Sequence, residues 1–374
     1  MKRHWTVFRF WPATLLIVCG MQGMPSRAAD ARGTRSLSFH IESIRPVALQ
    51  SVRFSIVRPW PGGGLVFVAP DRWTVHRVSA SGHAVSFNLH TVPETSHSTI
   101  RPNRDVAIDG SGKIYVPGNW FRRRNEGAPK AGVFVFEPDG RYSHTIELEL
   151  QGSPEHIAVD ADGKIVVLAL EGGYLRGTRE ECRLLHRFAP DGKLLESFSP
   201  CPEAPPPGEV GRNQWPALRR RLSEEAERGD LFIRGGRLFH VLPLARTVRI
   251  FAGGSRLLQE VAFVPPASSR LLAEAGMRAD PAGSRISRLV PLPDGRFLVE
   301  WLQIEPVGPS GQRRTTFLAL HGPDGRHLSE AAHPPAGRPS IPIDCDWEGR
   351  VLFLHLNPEG SGRVELVRAA LSLE

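Results

Sequence analysis

Three residues stand where chemistry could occur. His156 opens the apolar run His156-Ile157-Ala158-Val159, Asp105 precedes Val106-Ala107-Ile108, and Arg288 precedes Leu289-Val290. An imidazole and a carboxylate brought together could pass a proton or share a metal ion, and a guanidinium beside them could hold an oxyanion. One histidine and one carboxylate are fewer ligands than a metal site needs, so neither a metal nor another cofactor is expected. A histidine in an apolar run also reads as a packed structural residue. The chain has no serine nucleophile elbow, zinc-helix motif, phosphate loop or Cys-x-x-Cys. An acid/base pair assembled from distant segments stays open.

A second set of residues suits binding. Trp120-Phe121-Arg122-Arg123-Arg124, Tyr174 with Arg176, Arg219-Arg220-Arg221 near Trp215, and Arg313-Arg314 combine cations with aromatic rings. Guanidinium forks match carboxylate or phosphate, and aromatic faces match sugar rings or apolar side chains. The alternative is a solvated face balanced by Glu126, Glu171, Glu180, Glu181 and the Glu224–Glu227 run.

The amino terminus reads as a targeting segment. Lys2, Arg3 and Arg9 precede an apolar stretch from Phe10 to about Met21, and Ser26-Arg27-Ala28 offers small residues at a cleavage site. Residues 1–28 are therefore expected to be a signal peptide, and the protein periplasmic or secreted, with no membrane span after removal. An uncleaved anchor, or a lipid on Cys19, would tether it instead, although Val18 is bulky for a lipidation site. Without Lys2, Arg3, Arg9 and Arg27 the net charge falls from +8 to +4, too mild to argue for nucleic acid. Export permits disulfides. Cys182 and Cys201 flank a hairpin turning near Asp191-Gly192. A two-residue turn would set them opposite one another, whereas a turn led by Pro190 with a bulge at Gly192 would set them on opposite faces. Cys345, between Ile343 and Trp347, reads as a small core residue.

The elements that must position these residues repeat. Ile108-Asp109-Gly110-Ser111-Gly112-Lys113-Ile114 returns as Val159-Asp160-Ala161-Asp162-Gly163-Lys164-Ile165. An apolar run ending in Pro138-Asp139-Gly140 follows the first, and one ending in Pro190-Asp191-Gly192 follows the second. Pro293-Asp294-Gly295, Pro323-Asp324-Gly325 and Asp346-Trp347-Glu348-Gly349 continue the pattern. Short runs rich in Val, Ile, Leu and Phe between such turns are strands. They group into six units of four strands, a to d, with the first and fourth units degenerate. The last unit lacks its fourth strand, and Leu37-Ser38-Phe39-His40-Ile41 could supply it, leaving no orphan edge. Two helical insertions are expected, at about 213–229 (Pro216 to Arg228, stopped by Gly229) and 268–276.

This repeat resembles the NHL and TolB-like six-bladed β-propellers over residues 37–374. The resemblance implies an all-β fold: a signal peptide (1–28), then one domain (29–374), a six-bladed β-propeller of four-stranded blades closed by the N-terminal strand. It implies no single activity, because the fold hosts binding modules, lyases, lactonases and hydrolases. Some of those enzymes hold a metal at the channel mouth by several His or acidic residues, a logic that only Asp105 and His156 echo here.

In such a ring the a–b and c–d turns share one face. The segments Asn119–Lys130, Glu171–Glu181, Gln303–Arg314, Thr91–Asn103, Pro200–Arg228 and Val264–Arg285 share the other, read as its long loops. A scaffold with long loops on one face is expected to bind a peptide, protein or glycan there. The alternative is an enzyme acting at the channel mouth near Asp105, His156 and Arg288. The recurring Asp109, Asp160 and Asp346 are expected to form turns rather than to catalyse.

Overall fold

The computed structural model describes residues 37–47, 57–60, 64–69, 73–79, 81, 83–89, 99–103, 105–121, 129–170, 182–202, 215–266, 284–307, 311–331, 340–346, 348–356 and 364–373. The expected signal peptide and the second helical insertion lie outside them. The described residues belong to one compact unit spanning Arg35–Glu374, built of six antiparallel sheets with four strands each along the main path. Their first strands are Val57–Trp60, His156–Val159, Asp230–Arg234, Ser284–Pro291 and Ser340–Cys345, and in the second, five-stranded sheet Thr99–Pro102 on the main path and Ala107–Ile108 beside it both pair with Ile114–Phe121. The sixth sheet takes its fourth strand from Leu37–Val47, which pairs antiparallel with Val364–Leu373 from Leu37 opposite Leu373 to Val47 opposite Val364.

The recurring Asp-Gly phrase makes the tight turns by local hydrogen bonding. Asp160 Oδ1 accepts from the Asp162 and Lys164 amides at 3.0 and 2.9 Å, and Asp346 Oδ1 accepts from those of Glu348 and Arg350 at 2.9 Å. Asp109 does the same for Ser111 and Lys113. This satisfies the amides that a sharp reversal leaves without strand partners. The closing glycine must be left-handed: Gly192 has φ +88°, and a Cβ on it would lie 2.0 Å from the Glu147 carbonyl oxygen of the preceding sheet.

The apolar faces are buried between neighbouring sheets. Leu168, Leu185 and Phe198 of the third sheet pack with Leu231, Leu242 and Phe251 of the fourth. The other seams join first to second, second to third, fourth to fifth, and fifth to sixth. Val57, Leu65 and Phe67 of the first sheet also pack with Leu354 and Leu366 of the sixth. The helix Trp215–Arg228 inserts Leu222 and Ala226 into the seam between the third and fourth sheets, and Gly229 ends it with an amide bonded to the Glu225 carbonyl at 2.9 Å.

Four segments differ from the sequence reading. Gln303–Arg314 is largely a hairpin, with strands Phe297–Val307 and Gly311–His321 paired as far as Val307 opposite Gly311. In its register Glu305 stands opposite Arg313 and Leu302 opposite Thr316. Thr99–Pro102, expected in a loop, pairs with the second strand of its sheet at Phe121 to Gly118. Ahead of Asp109 the strand is short, Ala107–Ile108, and the Asp105 side chain before it joins a polar cluster. Finally, the hairpin after Phe188 has the Pro190-led turn with Gly192 as its bulge, yet Cys182 and Cys201 stand on the same face. Its turn has Gly192 left-handed, and Leu195 is then an extra residue, so that Phe188 faces Leu194 but Arg187 faces Glu196. That second bulge restores the register, and Cys182 and Cys201 are joined by a disulfide with Cα atoms 5.4 Å apart. Cys345 is a buried free thiol, pushed up to about 12 mainly by burial.

Candidate functional site

The first strands of all six sheets line one cavity of about 210 Å³. Apolar side chains such as Val106, Ile157 and Val290 form much of its wall, and Arg58, Asp230, Arg234, Arg288 and Asp344 are its charged groups. Alternation along a strand sends every second residue into the seams and the others toward the cavity.

At the heads of the strands the structure brings Asp105 and His156 together and adds two residues that sequence reasoning missed, Arg58 and Asp230. Arg58 donates from Nε and Nη2 to the two Asp105 carboxylate oxygens at 3.0 and 2.9 Å, and its Nη2 also lies 2.7 Å from Asp230 Oδ1. Asp105 accepts the backbone amides of Val106 at 2.7 Å and Ile157 at 3.1 Å. His156 places Nδ1 3.3 Å from Asp105 Oδ2 and Nε2 3.2 Å from the Glu227 carbonyl oxygen at the end of the helix. Asp105 is fully buried, and His156 and Arg58 nearly so.

Burial opposes the Asp105 charge, but Arg58 and the His156 bond outweigh it and lower the carboxyl to about 2. Burial likewise works against the Arg58 cation, and Asp105 and Asp230 more than offset it, holding the guanidinium protonated. For His156 burial is again overcome by the Asp105 carboxylate, and the imidazole is raised above its ordinary value. The cluster ties together strands of four sheets, and each carboxylate oxygen of Asp105 already accepts two or more bonds. A carboxylate so occupied is a poor general base.

Arg288 does not join this cluster. It lines the cavity elsewhere and lies near Glu300, a buried carboxyl raised by desolvation against the pull of Ser287 and Arg288. Toward the other end of the strands Arg234 bonds Asp344 Oδ1 at 2.6 Å and the Cys345 carbonyl. Ion pairs thus bridge different sheets at both ends of the cavity.

Of the expected binding residues, Trp120 is half-buried against the seam of the first and second sheets, with Lys130 Nζ 5.5 Å from its ring centroid. Its indole nitrogen is buried and finds no partner among the described residues. The backbones of Phe121, Arg313 and Arg314 lie in strands. Arg122, Arg123, Arg124, Tyr174 and Arg176 lie outside the described residues. Among the described residues no group of three or more His, Cys, Asp or Glu is arranged to hold a metal ion, and no helix is long and apolar enough to cross a membrane.

A missed signal was present in the repeat. Arg58 and Asp230 occupy in the first and fourth units the strand-head place that Asp105 and His156 occupy in the second and third. Aligning all six units would have shown five consecutive polar heads, Arg58, Asp105, His156, Asp230 and Arg288.

No family model and no curated protein matches the chain. Among solved structures it is similar to a member of the DUF4221 family from Bacteroides vulgatus, at 9% identity and TM-score 0.53, covering 91% of this chain and 100% of that one. It is also similar to a gluconolactonase from Xanthomonas campestris, at 12% identity and TM-score 0.46, covering 93% and 99%. A third similarity is to virginiamycin B lyase from Staphylococcus aureus, at 8% identity and TM-score 0.42, covering 89% and 99%. Such identities speak to fold alone. Of these three, the first bears on the fold, in agreement with the six four-stranded sheets.

Proposed function

We propose that the chain is an exported six-bladed β-propeller of the NHL/TolB-like kind, closed by its N-terminal strand, that serves as a binding module or scaffold for a peptide, protein or glycan at its loop-rich face. The cyclic order of the six apolar seams supports the ring. The observation that carries the functional reading is the Arg58–Asp105–Asp230–His156 cluster. It commits the acid and base at the channel mouth to holding strands together. What remains for recognition is the outer set around Trp120, Phe121, Arg122–Arg124, Tyr174, Arg176, Arg313 and Arg314, where arginine forks and aromatic faces accompany one another.

The test is direct binding of the mature protein to arrayed glycans and to a peptide library. Ligands retained by the parent protein should be lost when Arg313 and Arg314 are both replaced by Ala, and when Arg122–Arg124 are. Retention by both variants at parent affinity would refute the loop assignment. The second reading, an enzyme of the lyase, lactonase or hydrolase kind, is favoured by one observation: Arg288 and Asp230 both line the central cavity. It requires that Arg288→Ala abolish turnover of some ester, lactone or glycoside while the fold persists.

A further inference from the structure

His156 faces an acceptor at each ring nitrogen, the Asp105 carboxylate at Nδ1 and the Glu227 carbonyl at Nε2. Neither acceptor can donate, since Asp105 is ionised and a backbone carbonyl carries no proton. Both bonds therefore exist together only when both nitrogens carry hydrogen, that is, in the imidazolium. Loss of that proton leaves one acceptor without its bond. Keeping the donor toward the carboxylate strands the Glu227 carbonyl, at the helix end where a nearby cation is also favourable.

Two residues earlier the same helix is held by a carboxyl. Glu225 is buried, its Oε2 accepts the Leu244 amide at 3.1 Å, and its Oε1 is buried with no hydrogen-bond partner among the described residues. An ionised carboxylate half-satisfied in this way is costly, and a neutral acid much less so. Besides Leu222 and Ala226 in the seam, the helix is thus held by two groups that both favour the protonated form, one of them His156 of the Arg58–Asp105–His156–Asp230 cluster at its end.

We propose that the helix Trp215–Arg228 is a proton-sensitive element of the fold, seated against the third and fourth sheets when His156 is an imidazolium and Glu225 a neutral acid, and loosened as the two lose their protons. The groups facing His156 are Asp105, Asp230 and Arg58, with His240 close by; burial, Arg249 and His156 itself depress His240 to about 3, so it stays neutral. Glu225 faces the amides of Leu244 and Ala245, Arg221 of its own helix and Arg249. Burial raises Glu225 to about 7 against those four, from an ordinary 4.5. A raised carboxyl favours the seated state most at acid pH, and that preference is lost as pH climbs from about 4.5 through about 7. A raised imidazole also supports seating below its ordinary value and ceases to do so above its seated value, so the two groups act in the same direction. This switch is independent of which ligand the loop face takes.

Hydrogen exchange of the full chain at pH 5.5 and 8.5, corrected for intrinsic rates, tests this. Amides of residues 219–228 should lose protection by about tenfold or more at the higher pH, relative to the core strand Ile165–Leu168. Glu225→Gln, which stays neutral, should keep most of that protection at pH 8.5. His156→Gln, which offers a single donor group, should loosen the helix already at pH 5.5. Helix protection that is equal at both pH values, or a pH response in Glu225→Gln as large as the parent's, would overturn the proposal. Should His156→Gln fail to fold, Glu225→Gln decides alone.

Discussion

Replacing Asp105 by Asn probes whether the mouth cluster is a structural tie. The amide keeps the volume but removes the charge, and its NH2 group points donors where Arg58 and the Ile157 amide also donate. Arg58 is left with Asp230 as its carboxylate partner. Breaking one side of a buried pair costs about 3–5 kcal/mol, because the remaining charge stays buried with part of its compensation gone. The parent's pH response gives a second estimate. The Asp105 carboxyl lies at about 2 in the fold, against an ordinary 3.8. At about 1.4 kcal/mol per unit this is on the order of 2 kcal/mol, present above pH 4 and lost as pH falls toward 2. The pH figure is the smaller because protonation keeps the backbone bonds, whereas Asn sets donor against donor. Urea unfolding of parent and variant at pH 7 should therefore differ by about 3–5 kcal/mol, and the gap should narrow near pH 2. A difference below about 1 kcal/mol would show that Asp105 is not needed by the fold. That result would reopen it as an acid or base.

Gly192→Ala should be far more damaging than Gly349→Ala. Both are left-handed, at φ +88° and +82°, but only at Gly192 does the added Cβ meet a backbone carbonyl, at 2.0 Å, while nothing lies within 4 Å at Gly349. The second change should cost roughly 1–2 kcal/mol of unfolding free energy, and equal losses in the two variants would contradict the packed seam. Reducing the Cys182–Cys201 bridge, which spans 19 residues, should lower stability by about 3 kcal/mol in denaturant titrations with and without reductant. No change would mean that the unfolded chain is already restricted there.

The turns were legible because their chemistry is local. Asp160 bonds amides two and four residues ahead, and Gly192 supplies a left-handed residue on the spot, so the residue types announce the geometry. The strand count followed, since apolar runs between such turns have few other ways to bury themselves. The helix was visible in Leu222 and Ala226, spaced four apart behind Pro216. The hairpin Phe297–Val307 with Gly311–His321 was less so, because whether a Gly-Pro-rich segment is a loop or the tip of paired strands depends on the partner strand.

The sequence by itself determined a repeating four-stranded unit, its turns, and the order in which the units follow along the chain. Only the tertiary structure decided what Asp105 and His156 do. As isolated letters they suggested an acid and a base. Packed beside Arg58 and Asp230, which come from two other sheets, they become a buried tie that also reaches the end of a helix. The physical reason is that a turn is made by neighbours within a few residues. The character of a buried charge is set by whatever distant group shares its low-dielectric surroundings, and here those groups meet only where four sheets bring their strand heads together.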